Sequence, residues 1–275
     1  MGMRDRVLAL DIDGTLLHSD GSISLKLVDL LLNLQSDGLI LCLASGRPTL
    51  GVLPIAKLLQ LNKFGGYIIS FNGAELFDCR EEKVLYTASL PQEAIPVVVE
   101  CGRREGHAML TYANGRILTE KPDDAYVLIS HKRNEMPIQH VGDFEKDVDV
   151  VLSKCIITGN PCDMPALQRE VTARLYGVAD AYLSEPYFLE VVRKGVDKAD
   201  ALARLLDLLK LSHKNLIAAG DGHNDIGMIK LADIGIAMGN AHIDVREIAD
   251  IVAPHTDEDG LLQVLEKIFA VQFKN

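Results

Sequence analysis

Apolar positions along the chain fall into two textures. Short unbroken apolar runs at residues 7–10, 39–43 and 67–70 have the length and aliphatic make-up of strands buried on both faces, as in a parallel sheet. Between the first two runs, apolar residues at 27, 28, 30, 31, 32 and 34 return with helical spacing; Ser24 offers an N-cap and Gly38 a left-handed stop. A second helical pattern over 49–61 follows Ser45-Gly46-Arg47-Pro48. Past the Asn72-Gly73 turn signal the texture changes to short alternating segments at 75–77, 84–87, 107–112 and 116–119, with helices predicted near 91–104 and 122–130. A strand at 154–158, a proline-initiated helix over 161–176 stopped by Gly177, and a strand at 181–184 continue this mixture, and 188–192 leads back. From Lys198 the strand–helix rhythm resumes: a helix to 211, strands at 216–219 and 234–238, a helix to 231 between them, and a last helix after Asp259.

The pattern predicts an α/β protein, a doubly wound Rossmann-like parallel-sheet core built from residues 1–84 and 186–275. An α+β domain over residues 85–185 is inserted into it. No internal repeat or low-complexity stretch appears.

Composition narrows the partners. Lys and Arg total 28 against 39 Asp and Glu, and the net charge of −11 repels phosphate backbones and anionic lipid surfaces, so neither nucleic acid nor membrane is expected as a partner. The apolar stretch 25–44 carries Lys26, Asp29, Asn33, Gln35, Ser36 and Asp37, which a bilayer-spanning helix would not. The run at 7–10 is too short for a signal peptide, and Arg6 stands where a myristoylation signal needs Ser or Thr. Five cysteines, Cys42, Cys79, Cys101, Cys155 and Cys162, are odd in number and never spaced as CxxC, so a cytoplasmic location is expected, without disulfide framework or zinc site.

Four polar constellations fall where strands of the core should end: Asp11-x-Asp13-Gly14-Thr15, Ser45-Gly46-Arg47, Lys198, and Gly220-Asp221-Gly222-His223-Asn224-Asp225. In an open α/β sheet those ends share one crevice, so segments far apart in sequence meet there. Asp11, Asp13, Asp221 and Asp225 offer hard oxygen ligands, and so many carboxylates together call for a cation such as Mg²⁺. Ser45 and Lys198 suit phosphate oxygens. A metal, a phosphate and a carboxylate nucleophile make a phosphotransferase site.

These motifs, DIDGTLL, ASGRP, GVDKADAL and GDGHNDIGM, resemble those of the haloacid dehalogenase superfamily of aspartate-nucleophile phosphatases. The likeness is to its Cof-like branch, which carries a large α+β cap of the IIB type, and FNGA at 71–74, AMGNA at 237–241, Asp250 and DEDG at 257–260 strengthen it over nearly the whole chain. The resemblance implies Asp11 as nucleophile, Asp13 as general acid and base, and Lys198 as the phosphate-neutralising lysine. It further implies a Mg²⁺ site of Asp11, Asp13, Asp221 and Asp225, and phosphate or substrate contacts from Ser45, Gly46, Arg47, Asn72 and Asn224. His223 falls at a variable position. The implied activity is Mg²⁺-dependent hydrolysis of a small phosphorylated metabolite, a sugar phosphate above all.

Taken singly, DIDG is an ordinary turn or cap, SGRP a plain strand-to-helix turn and Lys198 a surface lysine; their joint order removes those readings. An EF-hand loop fails because Ser22 stands where a bidentate Glu is needed. His107, His131, His140, His213, His242 and His255 show no metal-ligand spacing, and the acidic run 145–149 reads as a solvated loop. A phosphomutase of the same superfamily, or a non-catalytic metabolite-binding module, remains an alternative at this level, although intact Asp11, Asp13, Lys198 and Asp221 argue against the module. Oligomeric state leaves no mark in the sequence.

Overall fold

The structure is a computed structural model that describes residues 5–148 and 151–270. Its strands, in chain order, are β1 (Val7–Leu10), β2 (Ile40–Ala44), β3 (Tyr67–Ser70), β4 (Glu75–Asp78), β5 (Lys83–Thr87), β6 (Ala108–Ala113), β7 (Arg116–Thr119), β8 (Ile138–His140), β9 (Lys154–Thr158), β10 (Ala179–Glu185), β11 (Phe188–Arg193), β12 (Leu216–Gly220), β13 (Ile234–Ala237) and β14 (Ile251–Val252). Among the described residues they form an eight-stranded sheet, ordered β14-β13-β12-β1-β2-β3-β4-β5, and a six-stranded sheet, ordered β10-β11-β9-β6-β7-β8. The chain divides into two compact units: residues up to Tyr86 together with those from Asp197 onward, and Thr87–Val196.

In the first unit β1 lies parallel between β12 and β2. Its four residues are all buried, as an unbroken apolar run in the middle of a parallel sheet must be. Because successive strand residues point to opposite faces, Leu8 and Leu10 join Leu41, Leu43 and Ile217 under the helices Leu25–Ser36 and Gly260–Ala270. Val7 and Ala9 join Cys42, Ala44 and Leu216 under Lys198–Leu209 and Ile226–Leu231. Each buried leucine contributes about 1.5–3 kcal/mol of transfer free energy, so both faces of the strand are held. From β1 the chain steps outward to β2 and β3, whereas β12, β13 and β14 step the other way, and the switch point opens at the carboxyl ends of β1 and β12.

The second unit carries the mixed hairpin texture. One face of its sheet packs Met109, Cys155, Ile157, Leu189 and Val191 against the helices Ile95–Gly102 and Met164–Arg174. The other face packs Leu110, Ile156 and Phe188 with Val127. A buried Lys154–Glu190 ion pair spans β9 and β11 at 2.9 Å.

Several expectations need correction. The inserted unit runs to Val196, past 185, because β11 pairs on both sides, with β10 and with β9. The helix expected over 49–61 stops at Leu58, and Gln60 turns left-handed before a short helix, Leu61–Phe64. Leu59 and Leu61 are both fully buried, and a continuous helix could not point residues i and i+2 at one core. The helix expected from Pro161 begins at Met164, with Pro165 in its first turn. Ser24 stands at the N-cap of Leu25–Ser36 but makes no side-chain capping bond. Strands β8 and β14 escape sequence reading because three and two residues are too few for a period-2 signal. The acidic run forms a helical turn, Phe144–Asp147, capped by Asp143; Asp149 lies outside the described residues. No described helix is long and apolar enough to cross a membrane.

Gly73 shows how tightly this framework closes behind the strand ends. Its φ is +105°, and a Cβ there would lie 2.0 Å from the backbone oxygen of Asp197, the residue before Lys198. Gly73→Ala is therefore expected to lower unfolding stability by about 3 kcal/mol, combining φ strain with a backbone clash. Urea unfolding measures it, and a loss under about 1 kcal/mol would show that the contact yields freely.

Candidate active site

Asp11 is the first residue past β1, and its backbone N–H still donates to Ala219 O at 3.0 Å, holding it in sheet register. The chain then turns sharply: Leu16 and Leu17 donate to Ile12 O at 3.1 and 2.9 Å, and Gly14 takes φ +81°. This turn buries Asp11 and carries Asp13 outward, so that the Asp13 side chain is 58% exposed.

Lys198 opens the helix Lys198–Leu209, whose N-cap Asp197 accepts a hydrogen bond from Asp200 N at 2.7 Å. Its fully buried ammonium donates to Asp11 Oδ1 and to Asp225 Oδ1, each at 2.7 Å. The other oxygen of Asp225 accepts from the backbone of Asp221 at 3.0 Å and of Gly222 at 2.9 Å. Gly220 makes that curl possible, since a Cβ there would lie 2.4 Å from Asp225 Cβ. Asp221 is held by Asn240 Nδ2 at 3.1 Å and, more loosely, by Thr15 Oγ1 at 3.5 Å.

Asp11, Asp221 and Asp225 each place a carboxylate oxygen within 4.8 Å of the others. Burial, then the charge of Asp225, pushes the Asp11 carboxyl up to about 8 against the pull of Lys198. The same two causes push Asp221 up to about 6. Burial alone would lower Lys198, but the carboxylates of Asp11 and Asp225 outweigh it and hold the ammonium above its usual range. Asp11 Oδ2 is buried and makes no hydrogen bond among the described residues. An orphaned carboxylate oxygen on Asp11, with the carboxylates of Asp221 and Asp225 close by, is a donor set suited to a hard divalent cation.

A second group forms at the ends of β2 and β3. Asn72 N donates to Ser45 O at 3.0 Å and Phe71 N to Arg47 O at 3.0 Å, which zips the two loops together. Ser45 is buried, and its Oγ accepts from Arg47 N at 3.1 Å. Asn72, with φ +54°, accepts from Asn224 Nδ2 at 2.9 Å, and Gly46 runs so close that a Cβ would meet the Asn72 amide at 3.1 Å. The structure thus brings together Ser45, Gly46, Asn72 and Asn224, and separately Asp11, Asp221, Asp225 and Lys198.

Two expected members stand elsewhere. The Asp13 carboxylate is outside the acidic cluster, held by Arg47 through Nε at 2.9 Å and Nη2 at 2.5 Å. That bidentate pair also turns the Arg47 guanidinium onto Asp13. The sequence pattern assigns no role to Asn240 or Thr256; AMGNA marks Asn240 only as part of a stretch, and Thr256 carries no signal. His223, on the same loop as Asp221, lies against His242 with ring centroids 4.4 Å apart and the planes tilted by 33°, and faces Asp244 at 3.4 Å.

Comparison with known proteins accords with this geometry. The profile of the haloacid dehalogenase-like hydrolases matches residues 8–265. The chain is 26% identical over 283 residues to the 5-amino-6-(5-phospho-D-ribitylamino)uracil phosphatase YitU of Bacillus subtilis, covering 98% of this chain and 100% of that protein. A haloacid dehalogenase-like hydrolase from Bacteroides thetaiotaomicron superposes with a TM-score of 0.91 at 40% identity, covering 96% of this chain and 99% of the other. The subclass IIB sugar phosphatase BT4131 superposes at 0.80 with 25% identity, covering 97% and 99%.

The buried lysine yields a direct test. In divalent-free buffer near neutral pH, Lys198→Met is expected to destabilise the protein by about 3–5 kcal/mol, the usual result of stripping the partner from buried charges. The loss should grow at about pH 9, because Asp11, pushed up to about 8 beside Lys198, loses its proton above that value and gains a full ion pair only where the lysine is present. Denaturant unfolding at the two pH values reads both effects.

Proposed function

The chain belongs to the haloacid dehalogenase-like hydrolase family and is a phosphatase of it; we propose that it hydrolyses a small phosphorylated metabolite, a sugar phosphate foremost, with Mg²⁺ and through a phospho-aspartate on Asp11. The observation that carries this reading is Asp11 itself: one carboxylate oxygen on the Lys198 ammonium, the other buried without a hydrogen bond among the described residues, in a residue whose carboxylate clusters with Asp221 and Asp225. The likeness in sequence to a 5-amino-6-(5-phospho-D-ribitylamino)uracil phosphatase and in fold to a sugar phosphatase supports a small phosphate ester as substrate.

Asp11 and Asp221 would hold the cation. Asp225, both of whose oxygens are engaged by Lys198 and by two backbone amides, steadies that pair. A bound divalent ion supplies charge that screens carboxylate from phosphate and fixes the two for in-line displacement.

The remaining steps belong to the chain's own residues. Asp11 attacks phosphorus, and Lys198, already fixed on it, neutralises phosphoryl oxygens as the bond forms. Asp13 gives a proton to the departing alkoxide and afterwards takes one from the water that frees Asp11. Arg47, in this reading, keeps Asp13 oriented for that exchange, a positioning task in place of the phosphate contact implied at first. Ser45, Gly46, Asn72 and Asn224 line the adjoining loops and suit the outer phosphate oxygens.

Phosphate release from a panel of phosphorylated metabolites, with and without Mg²⁺, tests the reading. Asp11→Asn should keep its fold by circular dichroism and retain less than about a hundredth of wild-type turnover, since an amide is a far poorer nucleophile. Retention of a tenth, roughly 1.4 kcal/mol of barrier, would remove Asp11 from that role. Isomerised sugar phosphate without free phosphate would identify a mutase.

The two aspartates of the first loop separate on an aryl phosphate, whose leaving group needs little protonation. Asp13→Asn should still be phosphorylated but lose on the order of 10²–10⁴ in the base-assisted hydrolysis, so that phosphate accumulates on Asp11. Rapid quenching and intact mass measurement should show one added phosphoryl group in the variant and little in wild type. Phosphate on any other residue would overturn this division of labour.

A further inference from the structure

Asn240 touches none of Asp11, Lys198 or Asp225 in the hydrogen-bond network above, yet its amide joins the two loops that carry the acids. Nδ2 places one donor on Gly14 O at 2.8 Å and the other on Asp221 Oδ2 at 3.1 Å. Oδ1 accepts from Thr256 N at 3.0 Å, and this fixes the amide's direction, because the flipped orientation would set its oxygen against two acceptors. Thr256 is buried, and its Oγ1 donates to Thr15 O and Leu17 O at 3.3 and 3.1 Å, so the anchor behind Asn240 is itself tied to the loop after Asp11.

The approach between the two loops leaves no slack. A Cβ on Gly14 would lie 2.4 Å from Asp221 Oδ2, which means the backbone of the first loop already abuts that carboxylate. Apart from Asn240, the Asp221 side chain receives among the described residues only the 3.5 Å contact from Thr15, at the outer limit of a useful hydrogen bond. A carboxylate held so loosely, close to Asp11 and Asp225, would rotate away from them to relieve like-charge repulsion.

We propose that Asn240 is a positioning residue: it locks the Asp221 carboxylate to the Gly14 turn and thereby sets the affinity of the acidic cluster for its divalent ion, and the turnover that follows from it, without contacting the phosphate. The inference rests on the cation reading of that cluster given above. Partners that orient metal ligands in this way govern affinity by about 10- to 100-fold.

The test is Mg²⁺ binding by titration calorimetry to metal-free wild type, Asn240→Ala, Asn240→Ser and Thr256→Val, with melting curves for each. Both Asn240 variants are expected to weaken Mg²⁺ at least about tenfold. Serine is included because it is small, polar and too short to bridge both acceptors, so the result does not depend on alanine alone. Thr256→Val keeps the backbone N–H that orients Asn240 and loses only the loop anchor, so it should lower Tm while leaving Mg²⁺ affinity within about twofold. With p-nitrophenyl phosphate at fixed low Mg²⁺, the Asn240 variants should lose kcat with KM little changed, and added Mg²⁺ should restore much of the rate. Equal Mg²⁺ affinity in wild type and both Asn240 variants would overturn the inference, as would an equal weakening in Thr256→Val, which marks general loosening. Absence of Mg²⁺ binding by wild type would instead overturn the cation reading itself.

Discussion

A lysine with no access to solvent sits between two aspartates, and the arrangement of the core follows from the need to keep it there. Removing an ammonium and two carboxylates from water costs several kcal/mol per ion, and only short, well-directed contacts offset that cost. Lys198 has two such contacts at 2.7 Å, to acids 187 and 27 residues away. They exist because β1 and β12 are neighbours in register and because the helix beginning at Lys198 is capped and pressed onto the Gly73 turn. The pair that holds the site together electrostatically is thus itself held by backbone approaches too close for any side chain.

Much of this architecture is legible in residue order. The segments that became β1, β3, β7 and β9 have the expected bounds because each ends at a turn or a charged residue. The parallel core is readable because a strand buried on both faces cannot alternate with polar residues, and Val7–Leu10 does not. Illegible were features that depend on a partner distant in sequence. The two-residue β14 is a strand only because Ile236 and Ala237 lie beside it, and the return of β11 into the inserted sheet depends on β9.

The candidate site divides along the same line. Residue types and spacing single out Asp11, Lys198, Asp221 and Asp225, whose chemistry demands company, and the structure places them together. The partners of neutral or exposed groups are not deducible in that way. Nothing in SGRP says that Arg47 will turn to Asp13, and nothing in AMGNA says that an asparagine will bridge Gly14 and Asp221. Both contacts are set by how steeply the chain turns after Asp11, a property of the backbone angles at Gly14.

The position of β1 at the centre of its sheet has a consequence for synthesis. Its edge toward β2 can pair almost at once, but its other edge waits for β12, which begins at Leu216. At roughly 5–20 residues per second, the ribosome leaves that edge unsatisfied for on the order of tens of seconds, with a fully apolar strand behind it. The inserted unit emerges whole during the same interval, with every one of its strands in hand before Leu216 appears. A nascent chain of this topology therefore has every strand of its inserted unit in hand while one edge of β1 still awaits its partner.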